Sequence, residues 1–154
     1  MERQIISNSP DETKALAERI GNIMPSGCVI AAYGQLGAGK TLFASGLALG
    51  LGIKDIISSP TFIFFNEYQG REIFCHVDAY RLEGLSTEEK ALVGLDDCFS
   101  SGRITFAEWP EYIEEWLPKN NIQLHIEAIS ENERSLRFIY DNIEQVWLND
   151  AFSN

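Results

Sequence analysis

Gly34-Gln35-Leu36-Gly37-Ala38-Gly39-Lys40-Thr41 fills every fixed position of the pattern GxxxxGK[ST]. Capture of a nucleoside triphosphate with magnesium is the chemistry that suits this spacing. Glycines let successive backbone N–H groups turn inward around a phosphate without clashing side chains. A helix beginning at the lysine presents its positive end to the same anion. Lys40 then supplies a mobile charge for the β- and γ-phosphates, and the Thr41 hydroxyl a ligand for the metal. The bland alternative is a glycine-rich turn with a surface lysine. Context argues against it, because an apolar run ends at Tyr33 just before the loop and an amphipathic segment begins at Lys40.

Such a site needs further acids for metal and water. Asp78 ends the run Ile73-Phe74-Cys75-His76-Val77, and Glu108 ends Ile104-Thr105-Phe106-Ala107. Both then fall at strand termini, where open α/β sheets place their ligands. One would anchor magnesium and the other would orient or deprotonate the attacking water; taken singly, each could equally be a helix cap or a solvated acid. Spacing does not divide the roles between them. Ser58-Ser59-Pro60-Thr61 reads either as a switch-like segment, with Thr61 sensing the metal or the γ-phosphate, or as a turn entering a strand.

The flanking elements must hold these residues in place. Cys28 to Tyr33 is nearly all apolar and predicts a central strand buried on both faces. Lys40 to Leu51 predicts a helix. Before them, Gln4 to Ile6 predicts a short strand, and Ser9-Pro10-Asp11-Glu12 a capped helix that ends at Pro25-Ser26-Gly27. Thr61 to Tyr68 and Glu72 to Asp78 predict a hairpin turning at Gln69-Gly70-Arg71. A capping box at Ser86 opens a short helix to about Val93. Arg103 to Glu108 is a further strand and Pro110 to Leu117 a short helix. Ile122 to Ile129 and Ser135 to Tyr140 are late strands, and Asn142 to Asp150 a terminal helix. Strand and helix alternate. The expected fold is an α/β, three-layer P-loop domain spanning residues 1–154, with a mainly parallel central sheet and an antiparallel hairpin.

Composition narrows the partners. Hydrophobic residues make up 45% and charged residues 23%, ordinary for a soluble globular protein. No apolar run approaches the roughly 20 residues of a membrane helix, so a cytoplasmic protein without a membrane partner is expected. Cys28, Cys75 and Cys98 form no CxxC pair and read as reduced, mostly buried thiols. The net charge of −11 opposes direct binding to a phosphate backbone. If nucleic acid is involved, a partner holds it.

GQLGAGKT, SSPTF, HVDAYRL and EWPE follow one another between positions 34 and 111. In this order and spacing they resemble the bacterial ATPase family of tRNA threonylcarbamoyladenosine synthesis (TsaE, or YjeE). The loop is shared by many enzymes; the other three blocks are much more specific. The resemblance implies a small P-loop fold whose ATP hydrolysis supports a separate transferase complex, the TsaB–TsaD pair. That complex attaches threonylcarbamoyl to an adenosine of tRNAs reading codons that begin with A, so tRNA is met only through the complex. ATP and magnesium are the implied cofactors. Thr41 and Glu108 become magnesium-site residues, Asp78 a Walker-B-like acid and Thr61 part of the switch segment. Trp109 and the Tyr80-Arg81 pair become supporting residues. Asp11 to Thr13 are implied near the adenine, and Arg134 near the nucleotide. One departure is Gln35, where the family loop usually reads GDLGAGKT; the position is variable in the general motif.

Other P-loop functions fit less well. A small-molecule kinase usually carries clustered lid arginines, and none are clustered here. A GTPase normally shows an NKxD tetrapeptide, which does not occur. A non-catalytic nucleotide sensor is the third alternative.

Overall fold

The structure, a computed structural model, describes residues 1–58, 64–100, 102–141 and 143–153. Its strands are Glu2–Ser7 (β1), Val29–Tyr33 (β2), Phe65–Gln69 (β3), Ile73–Asp78 (β4), Arg103–Glu108 (β5), Ile122–Ala128 (β6) and Arg134–Ile139 (β7). They form a seven-stranded sheet in the order β1-β7-β6-β2-β5-β4-β3. The four inner strands β6, β2, β5 and β4 run parallel. Antiparallel strands flank them, with β3 on β4 at one side and β7 then β1 on β6 at the other. The α/β fold with a parallel centre and a hairpin is as expected. The first four-residue stretch of the expected Thr61–Tyr68 strand lies partly outside the described residues.

Sequence explains the centre directly. β2 reads VIAAY and is buried along its length until the half-buried Tyr33, as a strand covered on both faces should be. Helices Pro10–Ile23 (α1) and Lys40–Gly50 (α2) cover one face with the short Leu148–Phe152 helix (α5). Phe43 and Leu47 of α2, and Leu16 and Ile20 of α1, pack there on Ile30, Phe106, Leu124 and Phe138. Helices Thr87–Ala91 (α3) and Leu95–Cys98 (α4) lie on the opposite side with several 3-10 turns, over a smaller core of Cys75, Val77, Leu82, Leu95 and Ala107. Beyond that core, His125 and Arg137 leave the outer face of β6 and β7 partly open.

Several boundaries differ from expectation for local reasons. The Ser9 side chain caps α1 by accepting from the Glu12 N–H at 3.1 Å, but Glu12 reaches back to the Asn8 N–H instead of closing a box on Ser9. The expected Pro110–Leu117 helix is two 3-10 turns, because Ile113 at φ −138 and ψ 32 interrupts it. The terminal helix begins only at Leu148. Upstream, the Asp141 carboxylate accepts from the N–H groups of Ile143 and Glu144, giving that backbone a local alternative to the helix. The expected helix to about Val93 ends at Ala91 with Leu92 as its C-cap, and Gly94, left-handed at φ 86, is the N-cap of a further short helix, α4. All three cysteines are unpaired, and burial pushes the Cys28 thiol up to about 11. Among the described residues, no helix is long and apolar enough to cross a membrane.

Close contact between α1 and α2 depends on glycine. A Cβ at Gly46 would stand 2.5 Å from the Lys14 carbonyl oxygen and 2.6 Å from the Ala17 Cβ. We therefore expect Gly46→Ala to destabilise the fold by about 1–3 kcal/mol, overpacking outweighing a helix-propensity gain of about 1 kcal/mol. The urea-unfolding midpoint measures this; an unchanged or higher midpoint would show that the helices separate without cost.

Candidate active site

The loop between β2 and α2 is shaped by its glycines and pinned by its neighbours. Gly37 and Gly39 adopt positive φ of 77° and 113°, which side-chain-bearing residues rarely accept. A Cβ on Gly34 would lie 2.7 Å from the Ile126 carbonyl oxygen, so the chain passes β6 only as glycine. α2 has Gly39 at its N-cap and no side-chain cap, leaving its positive end directed at the loop. Gln35 and Leu36 are exposed at the loop's outer edge, while Ala38 is buried.

Lys40 is folded back into this loop. Its ammonium donates to the Gly34 carbonyl at 2.5 Å and sits 3.7 Å from the centroid of the Trp109 ring. Burial lowers its pKa, opposed by the carboxylates of Glu108, Glu111 and Asp78. Trp109 itself has φ 58 and ψ 49, the one positive φ outside glycine among the described residues. Such a conformation in a bulky residue is strained and is characteristic of functional sites. Pro110 follows it and disfavours the ordinary helical alternative. Tyr80 and Tyr112 hold the indole, with centroids 4.9 and 6.1 Å away.

Strand order separates the two acids that spacing could not distinguish. β5 is hydrogen-bonded directly to β2, with Glu108 opposite Ala32. The first turn of α2 thus lies over Glu108, and the Thr41 hydroxyl donates to its carboxylate at 3.0 Å to Oε2 and 3.3 Å to Oε1. Asp78 is one strand further out, paired in register with Glu108, and accepts the Tyr80 N–H at 3.0 Å. Burial foremost raises its pKa, with Glu108 adding to the rise, while the Tyr80 N–H, His76 and Lys40 oppose it. Lys40, Thr41, Asp78, Glu108 and Trp109 together line a cleft of about 250 Å³.

His76 was quoted in the sequence only as part of a block, and the structure gives it a specific place. Its Nε2 lies 2.5 Å from Glu108 Oε2, in a fully buried position. Period-two alternation along β4 could have found it, since Phe74, His76 and Asp78 share one face.

The remaining sequence candidates fall elsewhere. Arg134 clamps the loop: its Nε donates to the Ala38 carbonyl at 2.8 Å, and its Nη1 to the carbonyls of Ser130 at 2.8 Å and Glu133 at 3.0 Å. Asp11 is exposed in the first turn of α1, whereas Thr13 is buried and donates to the Ser7 hydroxyl at 2.7 Å. Arg81 is exposed beside Tyr80. Thr61 lies outside the described residues. On the loop's other flank, a cleft of about 520 Å³ is lined by Gln35, Leu36, Glu127, Arg137 and the stacked rings of Tyr33 and His125, 4.7 Å apart.

Comparison with known proteins covers this whole arrangement. The model of the family "Threonylcarbamoyl adenosine biosynthesis protein TsaE" matches residues 7–136. The chain belongs to the TsaE family. The TsaE protein of Bacillus subtilis is 39% identical over 131 residues, covering 84% of this chain and 80% of that one. The TsaE protein of Aquifex aeolicus is 34% identical over 138 residues, covering 88% and 94%. In three dimensions, the crystal structure of Bacillus subtilis YdiB aligns with a TM-score of 0.79 at 30% identity, covering 99% of this chain and 95% of that one. The span matched to TsaE contains the loop, both acids, His76 and Arg134. By family, this TsaE chain takes part in threonylcarbamoyladenosine biosynthesis.

Arg134 ties the β6–β7 turn to the glycine-rich loop of this TsaE chain through charge-assisted bonds. Truncation in Arg134→Ala should cost about 1.5–3 kcal/mol, the range for bonds to a charged group. Thermal unfolding would read this as a lowered Tm. A Tm equal to that of the unchanged protein would mean that the clamp contributes nothing to loop order.

Proposed function

We propose that the chain is a magnesium-dependent ATPase that serves threonylcarbamoyladenosine modification of tRNA together with the TsaB–TsaD transferase pair. The observation that carries this reading is the Thr41 hydroxyl 3.0 Å from the Glu108 carboxylate at the foot of the loop, with the Lys40 ammonium beside them. One hydroxyl and one carboxylate are a poor all-protein metal cage. They are what magnesium takes when phosphate oxygens and water complete its shell. Among the described residues no three His, Cys, Asp or Glu side chains converge as a metal site, which fits a metal arriving with its nucleotide.

Electrostatics support the same cofactor pair. Three carboxylates, Glu108, Glu111 and Asp78, act on Lys40. A triphosphate entering this cleft would meet these carboxylates as well as Lys40, and a divalent cation would offset that repulsion. In this reading the loop N–H groups and Lys40 hold the β- and γ-phosphates, and Lys40 gives up its Gly34 and Trp109 contacts to do so. Thr41 and Glu108 hold the magnesium, which supplies charge neutralisation to the phosphates. Asp78, held on the neighbouring strand, orients or accepts a proton from the water that attacks. The net charge of −11 supports contact with tRNA through the transferase pair rather than directly.

Turnover of ATP by the purified chain should be slow and should rise when TsaB–TsaD and tRNA are added. Lys40→Ala should weaken nucleotide binding beyond detection at micromolar concentration. Glu108→Gln should lower turnover by about 100-fold, the scale of losing one preorganised electrostatic group. Normal ATP hydrolysis by Glu108→Gln in the presence of the partners would refute the site assignment.

A further inference from the structure

We propose that His76 is a positioning residue, fixing the carboxylate of Glu108 in the orientation that meets the metal; this rests on the reading of Glu108 as a magnesium-site acid. The terminal torsion of a glutamate is intrinsically loose, so a site that needs one carboxylate orientation must supply donors to hold it. Thr41 donates to Glu108 from α2 at 3.0 Å. His76 contacts the same Oε2 atom from β4 at 2.5 Å. The carboxylate is therefore gripped from two elements, and among the described residues its Oε1 atom lies 3.3 Å from the Thr41 hydroxyl.

Packing alone does not account for a histidine here. Its side chain is wholly buried, with the ring parallel to Phe74 within 10° at 6.4 Å and tilted on Phe106 at 6.0 Å. Phenylalanine would fill that slot without polar atoms. Nδ1, moreover, is buried with no hydrogen-bond partner among the described residues. An unsatisfied polar atom in a core is costly and calls for a compensating role. Nε2 provides it, as the ring's one donor, aimed at Glu108. The proposal accordingly puts a proton on Nε2, where it can be donated to Glu108. Outer groups that orient a metal ligand commonly change metal affinity 10–100-fold when removed.

The experiment compares His76→Phe, which keeps the ring and removes the donor, with His76→Gln, which returns an N–H at similar reach. Magnesium is titrated into each protein with a fluorescent ATP analogue, and thermal unfolding is followed in parallel. His76→Phe should fold with a Tm near that of the unchanged protein, yet need about 10-fold more magnesium for half-saturation. Nucleotide binding at saturating magnesium should be retained, and His76→Gln should recover most of the shift. An unshifted magnesium midpoint in His76→Phe, with a shifted one in Glu108→Gln, would overturn the positioning role alone. If Glu108→Gln also leaves the midpoint unmoved, the reading of Glu108 fails and the inference with it. Nitrogen-15 NMR of the unchanged protein gives a check independent of any variant. The expected result is an Nε2–H tautomer at His76, and an Nδ1–H tautomer would overturn the proposal.

Discussion

The hydrogen-bonded register of β2 with β5 is the constraint on which the site depends. It sets Glu108 opposite Ala32, two residues before the loop begins. The chain then rises through Gly34–Gly39 and returns as α2, so its first turn comes down over the end of β5. Thr41 meets Glu108 for that reason, and at a distance a hydroxyl can bridge. Each residue contributed by the next strand is placed by the same register: Asp78 lies opposite Glu108, and His76 opposite Phe106. A slip of one residue in either pairing would turn Glu108 or His76 to the other face of the sheet.

Cover on the two faces is unequal, and the inequality matters for the chemistry. Under α1 and α2 the core is deep and tightly fitted, with glycines at the crossing letting the helices approach. That packing anchors α2, and through it the loop. Over β4 and β5 the other side holds only short helices and 3-10 turns around a smaller cluster. Trp109, Tyr80 and Tyr112 belong to that thinner layer, at the mouth of the cleft. Well-packed backbone thus carries the glycine-rich loop and Lys40, while aromatic side chains on short turns surround the cleft beside them.

Much of this was legible in the sequence because it is written in local pattern. The apolar run before the loop, the glycine spacing and the hairpin turn each follow from one segment's own chemistry, and each is in the structure. Both acids were visible as strand ends. Their separation was not, because it depends on which strand pairs with β2, a long-range outcome that no local segment encodes. The Trp109 conformation was hidden for a related reason: only Pro110 hinted at it, while one of the rings that hold the indole, Tyr80, comes from a turn distant in sequence. Arg134 read as a residue near the nucleotide; its bonds to carbonyls of its own turn and, across the fold, of the loop are detail that the sequence does not encode. The short terminal helix shows the opposite failure, a local side-chain competition at Asp141 that a hydrophobic pattern does not register.

Lys40 connects these threads. Its ammonium is tied to a carbonyl oxygen and to an indole face, both neutral partners in a cleft lined by two acids, Asp78 and Glu108. A cation over an aromatic ring at a partly buried site gains on the order of 1–2 kcal/mol. A phosphate oxygen offers a full charge at the same range, in surroundings where burial already disfavours a cation without an anion. On the proposed function, exchange of the indole for phosphate would be favourable at the lysine. It also removes one of the contacts that hold Trp109 in its strained backbone conformation. The strain, of order 1–3 kcal/mol for such a residue, sits beside the lysine that the proposed function assigns to phosphate. Lys40 and Trp109 are thereby coupled by direct contact, the ammonium 3.7 Å from the indole centroid at the edge of the cleft.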